Sequence, residues 1–238
     1  MKQPGRFLTA EWKNLLMLNY AVDPSLLNGY VPAGTELDSF AGKTYLSLVA
    51  FEFNRTCVLG VAVPFHRSFE EVNLRFYVRR GERRGVVFIR ELVPKFAVAW
   101  LARTAFGENY ASVPMSHRIE VGAEAGTIRA EYAWGAGADS CTASIETHAE
   151  SFVPGENSLA QFITEHYWGY AEQRNGGSLE YEVKHPPWQV REGRRAEFHG
   201  NTARYYGDSF AQLLKEPAES AFLAEGSAVT VFKGVRIA

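Results

Sequence analysis

One segment of the chain, residues 71–78 with the sequence EVNLRFYV, alternates strictly between two kinds of side chain, and this period of two constrains the fold most. Its even positions are all apolar, whereas its odd positions carry Glu71, Asn73, Arg75 and Tyr77. Because successive side chains of a strand point to opposite faces, one face belongs to a core and the other presents polar groups. The function depends on what that polar face contacts.

The same strand, predicted over residues 68–78, opens a hairpin. The turn RRGERR at residues 79–84 leads into residues 85–93, which are apolar on both faces up to Arg90 and Glu91. Such a strand is typical of a position buried on both sides. Seven further segments rich in β-branched and aromatic residues are predicted as strands. They are residues 12–22, 43–53, 116–121, 127–134, 142–152, 178–183 and 228–237.

Three segments are predicted as helices, because each follows a residue that opens a helix and one also ends at a glycine. They are residues 25–29 after Asp23, residues 95–106 between Pro94 and Gly107, and residues 159–170 after Ser158. Nine strands with three helices predict an α+β, mainly antiparallel β fold, built around a barrel or a strongly curved sheet.

The composition fits a single domain over residues 1–238. Hydrophobic residues make up 46% of the chain, enough for a large core, and the formal net charge is −2. We expect no nucleic-acid partner, because this charge balance does not attract polyanions. We expect no membrane partner, because the longest apolar run, residues 96–102, is far shorter than the ~20 residues of a span. The first 20 residues lack a signal-peptide pattern, which predicts a cytoplasmic location, and the aromatic content allows a homo-oligomer.

No motif predicts a metal site or a cofactor. The six histidines show neither HxxxH nor HExxH spacing, and no GxSxG motif is present. Cys57 and Cys141 are expected to be reduced thiols, because two distant cysteines cannot make a disulfide framework. The GKT sequence at residues 42–44 lacks the first glycine and the following helix of a phosphate-binding loop, and is predicted as a hairpin turn.

Lys95 lies inside the most apolar stretch of the chain, at the start of the second predicted helix. Burial near the positive end of a helix favours a neutral amine, which is a nucleophile toward carbonyl carbons. A lysine at the rim of the sheet, with its ammonium group in water, explains the same position. Both interpretations stay open here.

Aromatic and histidine side chains are concentrated in two later segments. His166 and Tyr167 lie in the sequence EHYWGY, and His185 and Trp188 lie in KHPPW, where two prolines fix an extended corner. A ligand pocket walled by aromatic rings has this composition, and so does an ordinary core layer.

Several motifs together resemble the bacterial YqjF-like family, a domain of unknown function. They are Trp12, AVDP at 21–24, VPAGTELD at 31–38, EVNLR at 71–75, HY at 166–167 and HPPW at 185–188, within roughly residues 10–190. The family is similar in fold to acetoacetate decarboxylase. The resemblance implies a curved, cone-shaped antiparallel β-barrel with a few flanking helices around a small-molecule cavity.

The resemblance also implies a candidate for covalent chemistry. In acetoacetate decarboxylase, the Schiff-base lysine follows an Arg-Glu pair and a proline and stands beside a second lysine. Here Arg90, Glu91, Pro94 and Lys95 keep part of that arrangement at a shorter spacing, and Phe96 occupies the place of the second lysine. The expected enzyme class is a Schiff-base lyase without its second ammonium group.

The leading hypothesis is a cavity that binds a small oxo acid or a related carbonyl compound, with no cofactor and no metal. Arg75 would hold the carboxylate, Glu71 would transfer protons, and Lys95 would form an imine for decarboxylation, aldol or dehydration chemistry. Other expected ligand contacts are Asn73, Arg90, Glu91, His166, Tyr167, His185 and Trp188.

Two alternatives stay open. In the first, the same cavity binds or senses a ligand without catalysis, while Glu71 and Arg75 pair with each other and Lys95 is exposed. In the second, the polar face of the strand simply contacts water.

Overall fold

A computed structural model of the chain describes residues 4–62, 64–122, 124–173 and 176–237. Within these ranges the chain forms fifteen β-strands and four α-helices. The strands are β1 (Arg6–Val22), β2 (Glu36–Leu37), β3 (Thr44–Val58), β4 (Val61–Ala62), β5 (Phe69–Arg80), β6 (Arg83–Val93), β7 (Tyr110–Ser112), β8 (Met115–Val121), β9 (Ile128–Trp134), β10 (Cys141–Thr147), β11 (Trp168–Glu172), β12 (Ser178–Lys184), β13 (Val190–Gly200), β14 (Ser220–Phe232) and β15 (Val235–Arg236). The helices are α1 (Phe96–Phe106), α2 (Leu159–Thr164), α3 (Ala203–Tyr206) and α4 (Asp208–Leu213). In these ranges, no helix combines the length and the hydropathy that crossing a bilayer requires.

Seven strands form a closed ring of hydrogen-bonded neighbours, in the order β14, β1, β3, β5, β6, β11 and β12. The pairing of β12 with β14, where Val183 lies opposite Val231, closes the ring. The pair β6–β11 is parallel, and the other pairs of the ring are antiparallel. The predicted fold, mainly antiparallel with a strongly curved sheet, is confirmed.

A second layer covers one face of the ring. β14 also pairs with β13, and the sheet continues from β13 through β10 and β9 to β8. Tyr132 and Trp134 of β9 share a hydrophobic core with Leu74 and Phe76 on the even face of β5. Burial of such side chains stabilises the fold by roughly 1.5–3 kcal/mol each. The even face of β5 therefore packs against the second layer, and its odd face points toward the inside of the ring.

The hairpin of β5 and β6 forms as predicted. Arg80 pairs with Arg83 across a turn in which Gly81 has a φ of 58°, a conformation that glycine adopts without strain. Both faces of β6 are largely buried between Val86 and Val93, which agrees with its apolar composition.

Two of the predicted helix starts are confirmed by their caps. The Ser158 hydroxyl accepts a hydrogen bond from the Gln161 backbone N–H at 3.1 Å, and the Asp23 carboxylate accepts one from the Ser25 N–H at 2.8 Å. The segment after Asp23 forms two short 3-10 turns, Pro24–Leu26 and Asn28–Tyr30, instead of one helix.

The helix predicted over residues 159–170 is wrong beyond Thr164. α2 ends there, and the following aromatic residues form β11 between β6 and β12. Aromatic residues at helical spacing also suit a strand, and pairing with two neighbouring strands decides the outcome. The strand predicted over 142–152 likewise ends at Thr147, and β13, α3 and α4 have no counterpart in the prediction.

We predict that Gly169→Ala lowers the free energy of unfolding by about 1–3 kcal/mol. Gly169 of β11 lies against the Tyr181 ring, and a Cβ atom there would lie 2.1 Å from Tyr181 Cζ, so the ring has to move. Urea denaturation measures the change. Gly155→Ala is the matched control, because nothing lies within 4 Å of a Cβ atom at that position. Equal losses of stability in the two variants would contradict this packing.

Candidate functional site

A cavity of about 310 Å³ lies inside the strand ring. Its walls come from the ring strands and from α1, which contributes Ala97, Val98 and Trp100. Most of the lining side chains are apolar or aromatic, and the polar ones are concentrated on β5, on β6 and just before β7. This volume is near the lower end of the range for small-molecule sites.

The odd face of β5 supplies one polar wall. Glu71, Asn73 and Arg75 line the cavity and are 3%, 2% and 9% exposed. In the register of the sheet, Asn73 lies opposite Val49 of β3 on one side and Glu91 of β6 on the other. The alternative in which this polar face contacts bulk water is therefore wrong.

Three buried glutamates, Glu71, Glu91 and Glu108, line the cavity together, and we call them the carboxyl cluster. β7 pairs in parallel with β6 and places Tyr110 opposite Glu91. The Tyr110 hydroxyl donates to Glu71 Oε2 at 2.9 Å. The Tyr181 hydroxyl, on β12, donates to Glu108 Oε1 at 2.8 Å. Four strands of the sheet thus meet at this cluster.

Burial raises the pKa of each carboxyl group in the cluster. It raises the pKa of Glu71 to about 7, against two hydrogen bonds and the charge of Arg75, which lower it. It raises the pKa of Glu108 to about 8, and the charge of Glu71 adds to the shift. Burial and the charges of the other two glutamates raise the pKa of Glu91 well above its ordinary value. Near neutral pH the cluster therefore retains most of its protons.

Arg75 is the one arginine among the described residues that line the cavity, and no lysine accompanies it. Its Nη2 donates to the carbonyl oxygen of Ile163 at 3.2 Å, its Nε is buried without a partner, and its guanidinium lies 5.8 Å from the Tyr77 ring centroid. In the described part of the chain Arg75 forms no ion pair, so the Glu71–Arg75 pair of the non-catalytic alternative does not form.

His166 is a buried, neutral member of the site. Both of its ring nitrogens are buried without a hydrogen-bond partner, and its ring lies 4.6 Å from the Tyr77 ring and 5.4 Å from that of Phe162. Burial, together with the charge of Arg75, lowers the pKa of His166 well below its ordinary value. The imidazole therefore offers one donor and one acceptor to the cavity.

The HPPW corner adds two rings to the cavity lining. His185 and Trp188 stack with centroids 4.1 Å apart and an interplanar angle of 16°, and both line the cavity. The Trp188 indole donates to the Ser227 hydroxyl at 2.8 Å, which fixes its orientation. Trp12 of β1 packs against both rings.

Two of the predicted ligand contacts lie outside the cavity lining. Arg90 lies on the face of β6 opposite to Glu91, and its Nη1 donates to the Tyr205 carbonyl oxygen at 3.0 Å. Tyr167 packs against the outer side of His185, at 4.9 Å between ring centroids, and lines a separate depression next to α2.

Lys95, the predicted Schiff-base residue, also lies outside the cavity lining. It immediately precedes α1 and is half-buried, while the cavity contacts come from the next turn of that helix. In the described ranges, no three His, Cys, Asp or Glu side chains are arranged to hold a metal ion.

Glu108, Tyr110 and Tyr181 were not among the ligand contacts expected from the sequence. A glutamate just after a helix stop is usually solvated, so Glu108 carries no signal by itself. The alternation within β12 places Tyr181 on one face with Leu179 and Val183, and this pattern predicts its burial but not its carboxyl partner.

The family model of DUF2071, described as an uncharacterized conserved protein, matches residues 9–228. The chain belongs to the DUF2071 family. This DUF2071 member is 29% identical over 197 residues to the uncharacterized protein YqjF of Bacillus subtilis (strain 168), over 80% of this chain and 77% of YqjF. The resemblance to the YqjF-like family is confirmed.

Solved structures share the fold of this DUF2071 member at low sequence identity. The enduracididine biosynthesis enzyme MppR complexed with pyruvate has a TM-score of 0.73 and 15% identity, over 100% of this chain and 92% of that chain. Acetoacetate decarboxylase from Legionella pneumophila has a TM-score of 0.68 and 13% identity, over 100% of this chain and 90% of that chain. These similarities confirm the acetoacetate decarboxylase-like fold.

We predict that the protein becomes less stable as the pH rises from 5 to 8.5, and that Glu108→Gln reduces this loss. A carboxyl group whose pKa is raised in the folded state stabilises the fold at low pH, and that contribution disappears as the pH rises through the folded pKa, about 8 for Glu108. The expected difference is on the order of 1–3 kcal/mol. Denaturation midpoints at the two pH values measure it.

The control for this experiment is Glu156→Gln, since Glu156 is exposed. Its pH dependence should match that of the wild-type protein. If Glu108→Gln and Glu156→Gln lose stability in parallel between pH 5 and 8.5, Glu108 does not bind a proton on folding.

Proposed function

We propose that the cavity binds a small carboxylic acid of the oxo acid class, with its carboxylate on Arg75. The observation that carries this proposal is the environment of the guanidinium, which is buried, lines the cavity and has no ion-pair partner in the described residues. A buried charge without a counter-ion is unfavourable, and a carboxylate matches the guanidinium both in charge and in geometry.

The carboxyl cluster does not compete for Arg75 near neutral pH. Burial favours the protonated forms of all three glutamates, so the guanidinium is the main charge of the polar wall. As the pH rises through the pKa of Glu71, about 7, the wall becomes negative and repels a carboxylate. Affinity for an oxo acid is therefore expected to be higher at pH 6 than at pH 8.5.

The other walls favour a ligand that carries an apolar group. Aromatic rings form much of the rest of the lining: those of Trp12, Phe51, Phe53, Phe88 and Trp188. Burying apolar ligand surface against them contributes about 25 cal/mol per Å². His166 offers a neutral N–H to a carbonyl oxygen. The structure of MppR complexed with pyruvate, which shares the fold, supports the oxo acid class.

The binding that we propose is non-covalent. An imine needs an amine at the ligand, and the described residues that line the cavity include no lysine. Of the two hypotheses from the sequence, a ligand-binding module is therefore favoured over a lyase that acts through Lys95.

We predict that phenylpyruvate stabilises the protein at pH 6 and that phenylacetone, which has the same aromatic ketone skeleton without the carboxylate, does not. Arg75→Gln should weaken phenylpyruvate binding by about 10- to 100-fold, because it removes a charge-assisted contact of about 1.5–3 kcal/mol. Isothermal titration calorimetry gives the dissociation constants, and the concentration dependence of the melting temperature provides an independent check.

Arg118→Gln is the matched control, because the Arg118 side chain is 72% exposed and does not line the cavity. Borohydride reduction with phenylpyruvate, followed by peptide mass spectrometry, should give no adduct on Lys95. Equal binding of the ketone and the oxo acid, or full binding by Arg75→Gln, would refute the proposed role of Arg75. An adduct on Lys95 would restore the imine hypothesis.

A second candidate function is proton transfer on the bound oxo acid, and the pKa of Glu71, about 7, is the observation that favours it. A base works best when its pKa is near the working pH. Glu71 lies four residues from Arg75 on the same face of β5, and both side chains line the cavity.

For this candidate we predict exchange of the C3 protons of 4-phenyl-2-oxobutanoate in D2O, faster than in buffer alone. Glu71→Gln should slow the exchange by about 100-fold or more, the usual contribution of a general base. Proton NMR measures the rate, and Glu156→Gln serves as the control. A wild-type rate equal to that of buffer would leave a binding function without proton transfer.

A further inference from the structure

When its glutamates are ionised, the carboxyl cluster with its surroundings contains more hydrogen-bond acceptors than donors. Glu71 accepts from the Asn73 amide at 3.0 Å and from the Tyr110 hydroxyl, and Glu108 accepts from the Tyr181 hydroxyl. Glu91 shares the Tyr110 hydroxyl, which lowers its pKa, and has no donor of its own among these three. Glu91 Oε2 is buried without a hydrogen-bond partner.

A second acceptor is also without a partner, and it does not belong to an acidic residue. Asn73 is 2% exposed, and because its amide group donates to Glu71, its Oδ1 carbonyl oxygen points elsewhere and has no partner. Asn73 and Glu91 lie directly opposite each other on β5 and β6, and both line the cavity. Two buried acceptors without partners thus lie on paired residues of the cavity wall.

We propose that this part of the cavity is a subsite for a cationic nitrogen group, a primary ammonium or a guanidinium, which donates to Asn73 Oδ1 and Glu91 Oε2. A cationic nitrogen group supplies several N–H donors at once. Its positive charge also compensates the negative charge of the three neighbouring glutamates when they are ionised. Arg75 does not fill this role, because in the described residues its guanidinium forms a hydrogen bond to the Ile163 carbonyl oxygen and none to Asn73 Oδ1 or Glu91 Oε2. Phe51, opposite Glu71 in the sheet, adds an aromatic ring that attracts cations.

This inference deepens the proposed function and rests on it, because both groups would occupy one cavity. The ligand class becomes a carboxylate that also carries a cationic nitrogen, with the carboxylate on Arg75 and the nitrogen at Asn73 and Glu91. The two subsites have opposite pH dependences, so they can be tested separately.

The protonation state of the three glutamates sets the direction in which the affinity for a cation changes with pH. A cation binds the ionised carboxylates, so its affinity should rise as the pH passes the pKa values of Glu71 and Glu108, about 7 and about 8. The other titratable and charged groups that face the cluster are Tyr110, Tyr181, Arg75, His166 and His185. Burial keeps both tyrosines protonated and both histidines neutral across this range, so the glutamates dominate the response.

The test compares phenethylamine with 2-phenylethanol, its neutral isostere, by calorimetry on the full chain at pH 6 and pH 8.5. We expect phenethylamine to bind at least 10-fold more tightly at pH 8.5 than at pH 6, and 2-phenylethanol to show no such change. Glu91→Gln should remove the preference for the amine. Glu108→Gln provides a second variant if Glu91→Gln does not fold, and Glu156→Gln should behave like the wild-type protein.

Each outcome separates this inference from the proposed function, because phenylpyruvate is titrated in parallel. If phenylpyruvate binds and phenethylamine does not, the cation subsite is refuted and the carboxylate site stands. If neither compound binds, both are refuted. Amine binding that is independent of pH, or that is unchanged in both glutamine variants, also refutes the cation subsite.

Discussion

Closure of the strand ring between β12 and β14 is the constraint on which the cavity depends. Without this pairing, the odd face of β5 would belong to an open sheet, and Glu71, Asn73 and Arg75 would contact water. With it, the second layer of strands buries the even face, and the odd faces of the ring surround one space. Polar side chains that line this space lose their hydration, and this loss raises the pKa values of the three glutamates.

The polar wall is an arrangement that function explains better than stability does. Three carboxyl groups, one guanidinium and one imidazole are buried together, and several of their atoms have no partner in the described residues. Each such atom disfavours folding by about 1–3 kcal/mol, and the two hydrophobic cores on either side of the ring offset this. In the function that we propose, a bound ligand supplies the missing charge and hydrogen bonds.

The fold is shared with acetoacetate decarboxylase and MppR at 13–15% identity, whereas the chemistry at the cavity is set by this chain's own residues. Phe96 stands where the resemblance implies a second lysine, and Lys95 lies before the turn of α1 that reaches the cavity. A closed ring of strands keeps a cavity even when the lining residues change. The proposed ligand class rests on the electrostatic balance of that cavity, one guanidinium beside three carboxyl groups.

The sequence by itself determined which residues of β5 share a face and where the β5–β6 hairpin turns. It also determined that Ser158 and Asp23 each cap the turn directly after them. These features depend on neighbouring residues alone. Only the tertiary structure decided that the polar face lines a cavity, that Trp168 lies in a strand, and that Glu108 and Tyr181 join Glu71. Pairing between strands distant in the chain sets those contacts. A period of two identifies the two faces of a strand, but it carries no information about what covers each face.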